Sequence, residues 1–171
     1  METFEVKRGL AKKLASEGGL AGVAGKHFEN VDGSGDTFNG SHGIMSSITG
    51  EYNALGKLVV DVQQERPDFD DPDAMKVAME SRKRWSAFLD EATGYNAKQR
   101  GDKAKEFAKK ASKAKSGISQ ARHFMGMANN LSEEVKAQAE EYISTIEALL
   151  EAGDNTKAES TAKKLSTLLE S

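Results

Sequence analysis

Lysines form the clearest chemical pattern in this sequence. Lys98, Lys105, Lys109 and Lys113 follow one another at spacings of seven, four and four residues. At about 100° per residue, these spacings place the side chains on one side of an α-helix. A line of ammonium groups can contact the phosphates of a nucleic acid or the carboxylates of a protein. The sequence therefore predicts a basic surface, for which the candidates are Lys98, Lys105, Lys109, Lys110 and Lys113.

The opposite side of the same segment carries small apolar residues at steps of three and four. This pattern predicts a helix from Ala97 to about Ala128. Its apolar stripe consists of Ala104, Phe107, Ala108, Ala111, Ala114, Ile118, Ala121 and Met125. So thin a stripe buries little area per turn, and a second chain would help to complete the core.

Three interpretations of the lysines remain open. They can be solvated or paired within the chain, or they can track a phosphate backbone. Arginines and stacking aromatics are nearly absent from this side of the helix, which argues against the interpretation as a phosphate-backbone track. Attachment to a membrane surface would gain little, because the apolar side is mostly alanine.

Two glycine-rich stretches resemble ligand-binding loops but lack essential parts of them. Residues 19–27 resemble a phosphate-binding loop, yet the spacing differs by one residue and His27 replaces the required hydroxyl. Residues 32–40 resemble a single calcium-binding repeat without its neighbouring turns or a closing glutamate. We predict a packed or flexible glycine-rich connection for the first stretch and a solvated turn for the second.

The remaining residue types predict no catalytic, cofactor-binding or metal site, and hence a protein that is not an enzyme. The chain contains no cysteine, which excludes a thiolate nucleophile and a cysteine-ligated zinc. His27, His42 and His123 are scattered, and none has a partner at the three- or four-residue spacing of a helical metal site. Acidic residues lie on helix sides that are predicted to be solvated, whereas acid–base catalysis requires a shielded pocket. No small-molecule substrate is evident.

Composition favours one helical domain. The chain has 171 residues, two prolines and few aromatics. Its net charge of −3 is unevenly placed, with acidic segments on both sides of the basic one. Neighbours of opposite sign are typical of helices that pair with each other. With neither a membrane span nor a signal peptide, a cytoplasmic location in the producing or host cell is expected.

These patterns predict an all-α fold, an antiparallel bundle of about four to five long helices. The bundle occupies residues 43–171, and residues 1–42 form a small N-terminal helix plus a Gly/Asp/Asn-rich loop. Short turns make successive helices antiparallel. The predicted helices are Thr3–Glu17, Ile44–Glu65, Pro72 to Gly94, 97–128, Glu133–Ala152 and Asp154 to the end, with a further turn or two in residues 20–28.

Local signals mark several helix ends and contacts. Asp70 or Asp71, Ser132 and Asp154 are predicted N-caps. Residues 149–158 resemble the inter-helix turn of tetratricopeptide-type hairpins, although no second copy follows at a fixed period. Glycines 101, 117 and 126 each cost about 1 kcal/mol inside a helix, which indicates close helix contact or a bend.

The sequence thus predicts a non-enzymatic helical protein that acts through protein–protein contacts, including self-association, as a component of a larger assembly. A phage or virus structural or host-interfering protein is compatible with this pattern. The alternative is a non-specific nucleic-acid-binding subunit that uses the basic helix 97–128.

Overall fold

The chain folds into two compact units. The computed structural model describes residues 1–171, of which Met1–Asp102 form unit 1 and Lys103–Ser171 form unit 2. Unit 1 contains a five-stranded antiparallel sheet, so the predicted all-α fold class is wrong. The division predicted between residues 42 and 43 falls between two paired strands of this sheet.

Unit 1 begins with a short strand and two short helices, continues with a four-stranded meander and closes with a long helix. The sheet order is β1-β5-β4-β3-β2, so the first strand joins the last one. The elements are β1 Glu2–Phe4, α1 Leu10–Ala15, α2 Gly19–His27, β2 Asn30–Ser34, β3 Thr37–His42, β4 Met45–Tyr52, β5 Leu58–Gln64 and α3 Pro72–Thr93. The helix predicted from Thr3 is therefore confirmed only over α1.

The predicted helix Ile44–Glu65 is instead the hairpin of β4 and β5. Ile48 lies opposite Val62 and Gly50 opposite Val60, on the side of the sheet that faces the core. The apolar residues fit the steps of a helix, but they also alternate within each half of the segment. β-Branched residues favour the strand because their side chains pack well on a pleated surface.

A tight turn separates the two halves of this hairpin. The Asn53 side chain accepts hydrogen bonds from the backbone N–H groups of Leu55 and Lys57, both at 3.0 Å. Gly56 adopts a φ of 73°, which glycine reaches without steric cost. These local bonds offer the backbone an alternative to a continuous helix.

The predicted loop from Asn30 to Gly43 is the hairpin of β2 and β3. Its polar residues do not prevent strand pairing, because β2 is an edge strand that is exposed along most of its length. Phe38 supplies the buried residue of β3 and is 3% exposed. An antiparallel sheet with one solvated side needs apolar residues on the other side only.

The core of unit 1 lies between the sheet and its helices and centres on four aromatic rings. The Phe88 ring lies 5.0 Å from Phe28, 5.4 Å from Phe38 and 5.5 Å from Trp85, measured between ring centroids. Phe88 is fully buried. Helix α3 thereby connects α2 to the sheet through one aromatic cluster.

Unit 2 consists of three helices, which confirms the last three helices predicted from the sequence. Helix α4 spans Ala97–Met127 and begins within unit 1, while α5 spans Glu133–Glu151 and α6 spans Asn155–Glu170. The side chains of Asp71, Ser132 and Asp154 cap α3, α5 and α6 as predicted. The buried core contains Ala114, Ile118, Ala121, Ala139, Ile143, Ile146, Ala158, Ala162, Leu165 and Leu169.

Of the three glycines within α4, only Gly117 makes the close helix contact that was predicted. A Cβ at Gly117 would lie 2.9 Å from the Cβ of Ala162, whereas Gly101 and Gly126 face open space. The absence of a side chain therefore allows α4 to approach α6 closely at this point.

Removing the central aromatic ring should unfold unit 1 selectively. We expect Phe88→Ala to lower the free energy of unfolding by about 3–5 kcal/mol, because it leaves a cavity among three other rings. Urea unfolding followed by the fluorescence of Trp85 measures this change, since Trp85 is the only tryptophan. Met79→Ala on the exposed side of α3 is the control and should change stability by less than about 1 kcal/mol. Equal effects of the two substitutions would contradict this account of the core.

Candidate functional site

Helix α4 has one side in the core of unit 2 and one side in solvent. Ala114, Ile118 and Ala121 are buried against the other two helices. The opposite side is exposed and combines lysines with small residues. We call it the lysine–serine face, and it consists of Lys105, Ala108, Lys109, Ser112, Lys115, Ser116 and Ser119.

Hydrogen bonds and ion pairs attach α4 to its neighbours elsewhere along its length. Lys113 Nζ lies 3.4 Å from Glu159 Oε1 on α6, and Arg122 donates to Glu147 on α5 at 3.1 Å. The buried Asn155 donates its Nδ2–H to the carbonyl oxygen of Phe107 at 3.1 Å. These contacts fix which side of α4 faces inward and leave the lysine–serine face outside.

The five lysines predicted from the sequence do not all share one environment. Lys98 lies 3.4 Å from Asp102, one helical turn away, and Lys113 pairs with Glu159. Lys110 donates a hydrogen bond to Thr156 Oγ1 at 3.2 Å. Lys105 and Lys109 are exposed and make no ion pair. Part of the predicted surface is therefore paired within the chain, and part of it is free.

Lys115 also belongs to this surface, although the sequence prediction did not include it. It is exposed, makes no ion pair and follows Lys105 by ten residues. The lysine line was defined by steps of four and seven, and Lys115 lies about 80° to one side of Lys105 on a helix. The spacing shows that Lys115 lies beside Ser112 and Ser119 on a helix. It does not show that Lys113 pairs with Glu159 of another helix.

Helix α4 carries more positive charge than its ion pairs with the other helices of unit 2 neutralise. Residues 103–127 contain seven lysines and arginines but only one carboxylate, Glu106. Helix α5 contains six glutamates and one lysine. Between these two helices only Arg122 and Glu147 form an ion pair. The lysine–serine face is consequently a solvent-exposed cationic surface, whose attraction for anions weakens with salt.

A second group of ionisable residues lies within unit 1, where α2 meets α3. Glu91 on α3 accepts from His27 Nε2 at 2.6 Å and from Lys26 Nζ at 3.1 Å. The His27 ring packs edge-on against Phe88. This group links two helices through charge-assisted bonds, and no serine or threonine hydroxyl is hydrogen-bonded to His27 as a nucleophile would be.

Tyr52 anchors the end of the sheet to the same helix. Its hydroxyl donates to the carbonyl oxygen of Ala92 at 2.6 Å. Burial, together with the nearby charges of Asp36 and Glu91, raises the pKa of Tyr52 to about 12. The phenol therefore stays protonated at neutral pH and serves as a hydrogen-bond donor.

The glycine-rich stretches are positioned for packing. Gly19 begins α2, and a Cβ there would lie 2.5 Å from the carbonyl oxygen of Gly35 in the β2–β3 turn. The segment before Gly19 is helix α1 and not the strand that a phosphate-binding loop requires. Residues 19–27 themselves form helix α2, so the predicted glycine-rich connection is wrong at this point. His42 Nδ1 accepts the Glu29 N–H at 3.1 Å. No three histidine, aspartate or glutamate side chains come close enough to hold a metal ion.

Comparison with known proteins identifies the family of the chain. A model of a domain of unknown function (DUF5611) matches residues 1–106, which is more than half of the sequence. The chain belongs to this family. The match covers unit 1 and the start of α4, and so includes Lys98 and Lys105 but not Lys109 or Lys115. No curated protein and no solved structure matches the chain.

None of the helices has the length and hydrophobicity needed to cross a bilayer.

Acid should weaken unit 1 through Glu91. Burial acts to raise its pKa, but the hydrogen bonds from His27 and Lys26 outweigh burial and hold the pKa below its usual value of 4.5. A lowered pKa means that this stabilisation is complete above the unfolded-state pKa and is lost as the pH falls through the folded-state pKa. We expect Glu91→Gln to reduce the loss of stability between about pH 5 and pH 3.

At neutral pH the same substitution should cost no more than about 1 kcal/mol, because Glu91 is partly exposed and its pairs are screened by solvent. Urea unfolding of both proteins at several pH values, followed by Trp85 fluorescence, measures this difference. Glu80→Gln, on the exposed side of α3, is the control. Parallel pH profiles for wild type and Glu91→Gln would exclude this role for Glu91.

Proposed function

We propose that this protein is a non-enzymatic interaction protein and that an acidic helix of a partner protein docks on the lysine–serine face of α4. The observation that carries the proposal is that Lys105, Lys109 and Lys115 are exposed and lack ion pairs. They flank a strip of alanine and serine that offers no bulky side chain. An assembly component that recruits acidic partners is the function that this surface supports best.

The strip of small residues favours a helix as the partner. Ala108, Ser112 and Ser119 allow the backbone of a second helix to come close, since the interaxial distance depends on the side chains at the contact. The aliphatic stems of the lysines can then lie along the partner while their ammonium groups reach its carboxylates. Such a contact combines buried stem area with charge pairing at the edges.

A nucleic acid is the second candidate, and the unpaired Lys105 and Lys109 favour it. Phosphate recognition often uses arginine, however, and Arg122 of α4 is already bound to Glu147. We therefore rank an acidic protein helix above a nucleic acid.

Reversing the free lysines should abolish docking. We expect Lys105→Glu/Lys109→Glu/Lys115→Glu to weaken binding to a synthetic helical peptide with glutamates at every third or fourth residue by about tenfold or more, because three attractions become repulsions. Fluorescence anisotropy of the labelled peptide at low salt measures the dissociation constant. The matched control is Lys12→Glu/Lys76→Glu/Lys83→Glu, which changes net charge equally at exposed lysines without ion pairs.

A labelled single-stranded oligonucleotide serves as the competing probe. If it binds the wild type more tightly than the peptide does, with affinity that falls steeply with salt, the nucleic-acid function replaces the proposed one. If neither probe distinguishes the triple variant from the matched control, the lysine–serine face is not a docking surface.

A further inference from the structure

The outward side of α5 is electrostatically complementary to the lysine–serine face. Glu134, Glu140, Glu141 and Glu151 are exposed and form no ion pair. The outward side of α5 also contains small residues, as the outward side of α4 does. We call it the glutamate–alanine face, and it consists of Glu134, Ala137, Glu141, Ser144, Ala148 and Glu151.

We propose that the acidic helix that docks on α4 is α5 of a second copy of this chain. This inference rests on the proposed function and names the partner. Each molecule presents both an unneutralised cationic face and an unneutralised anionic face, so identical copies carry both halves of one contact. Complementary charge of this kind selects the partner and its orientation.

An antiparallel alignment of the two helices matches charge and size together. When Ser112 is placed level with Ser144, Lys105 is level with Glu151 and Lys115 with Glu141. The small residues then also coincide, because Ala108 is level with Ala148 and Ser119 with Ala137. At a rise of about 1.5 Å per residue, this register keeps the lysines and glutamates in step along all of α5.

In the same alignment Arg122 is level with Glu134 of the second copy. Because Arg122 already bonds to Glu147 within its own chain, the free lysines supply the cations of the contact. Small residues along the centre with charges on both sides resemble the arrangement by which paired helices fix register and orientation. The contact joins different faces of the two copies, so it forms either a closed ring or a linear chain of copies.

Two charge-reversed forms of the full-length protein test this inference. The lysine-reversed form is Lys105→Glu/Lys109→Glu/Lys115→Glu, and the glutamate-reversed form is Glu134→Lys/Glu141→Lys/Glu151→Lys. Sedimentation velocity over a micromolar concentration series at low salt gives the oligomeric state and the dissociation constant. We expect the wild type to associate and each reversed form alone to lose at least about tenfold in self-affinity, because like charges then face each other.

A mixture of the two reversed forms provides the decisive test of the pairing between α4 and α5. In the mixture, the unmodified α4 of the glutamate-reversed form meets the unmodified α5 of the lysine-reversed form, which restores the original contact. An equimolar mixture should therefore recover association, while Lys12→Glu/Lys76→Glu/Lys83→Glu should associate like the wild type. Circular dichroism tests whether both reversed forms are folded. If one of them is unfolded, the Lys→Gln or Glu→Gln triple variant at the same positions replaces it. Each of these neutral variants is expected to self-associate more weakly than the wild type.

The outcomes separate this inference from the proposed function. A wild type that stays monomeric, but binds the acidic peptide through the free lysines, retains the docking function and overturns self-association. Self-association that neither reversal weakens, or that the mixture does not recover, overturns the pairing of α4 with α5. Loss of both peptide binding and self-association signals would remove the proposed function as well.

Discussion

The surface chemistry of unit 2 depends on one constraint: α4 carries more positive charge than its own neighbours neutralise. Its core side consists of Ala114, Ile118 and Ala121, with Met125 packed against them, so the lysines lie on the remaining circumference. Only Lys113 and Arg122 reach carboxylates on the adjacent helices. Glu134, Glu140, Glu141 and Glu151 of α5 are exposed and form no ion pair. The chain therefore leaves two opposite charges exposed on one compact unit, which is the physical basis of the proposed function.

Unit 1 uses its ionisable groups in a different way. The bonds from His27 and Lys26 to Glu91 join α2 to α3, and Tyr52 joins the sheet to α3. Two of these residues also contact the core, because the His27 ring packs edge-on against Phe88 and Tyr52 packs against the same buried cluster. A histidine–carboxylate pair is a common element of catalytic sites, but here its hydrogen bonds connect two helices that are already packed together. The pair contributes to the fold, and the binding chemistry that we propose lies in unit 2.

Sequence patterns predicted the helical part of this protein well, because the spacing of the apolar residues and the positions of the N-cap residues indicate the same helices. Ser132 and Asp154 cap helices whose apolar residues recur at three and four, so local and tertiary signals coincide. The β4–β5 hairpin was missed because Ile48, Tyr52 and Val62 satisfy the helical spacing as well as the strand alternation. The decisive information was the turn at Asn53 and Gly56, where the Asn53 side chain accepts hydrogen bonds from backbone N–H groups two and four residues further along the chain.

The candidate surface was only partly predictable for a related reason. Spacing identified Lys105 and Lys109, since helix geometry determines which side they occupy. It could not separate free lysines from paired ones, because pairing depends on where Glu159 and Thr156 lie after α6 folds back on α4. Lys115 escapes the spacing argument for a different reason, because it lies about 80° to one side of Lys105 and so off the line of four- and seven-residue steps. Which lysines are available is thus a property of the tertiary structure.

Carbodiimide cross-linking of an equimolar mixture of ¹⁴N- and ¹⁵N-labelled protein tests the central claim most directly, because it joins only amines and carboxylates that are in contact. The bond between Lys113 and Glu159, 3.4 Å apart, should appear within single chains and calibrates the experiment. Our account predicts mixed-isotope cross-links from Lys105 or Lys115 to Glu141 or Glu151. Mixed-isotope links confined to other residues, or Lys105 and Lys115 linked only within their own chain, would contradict it.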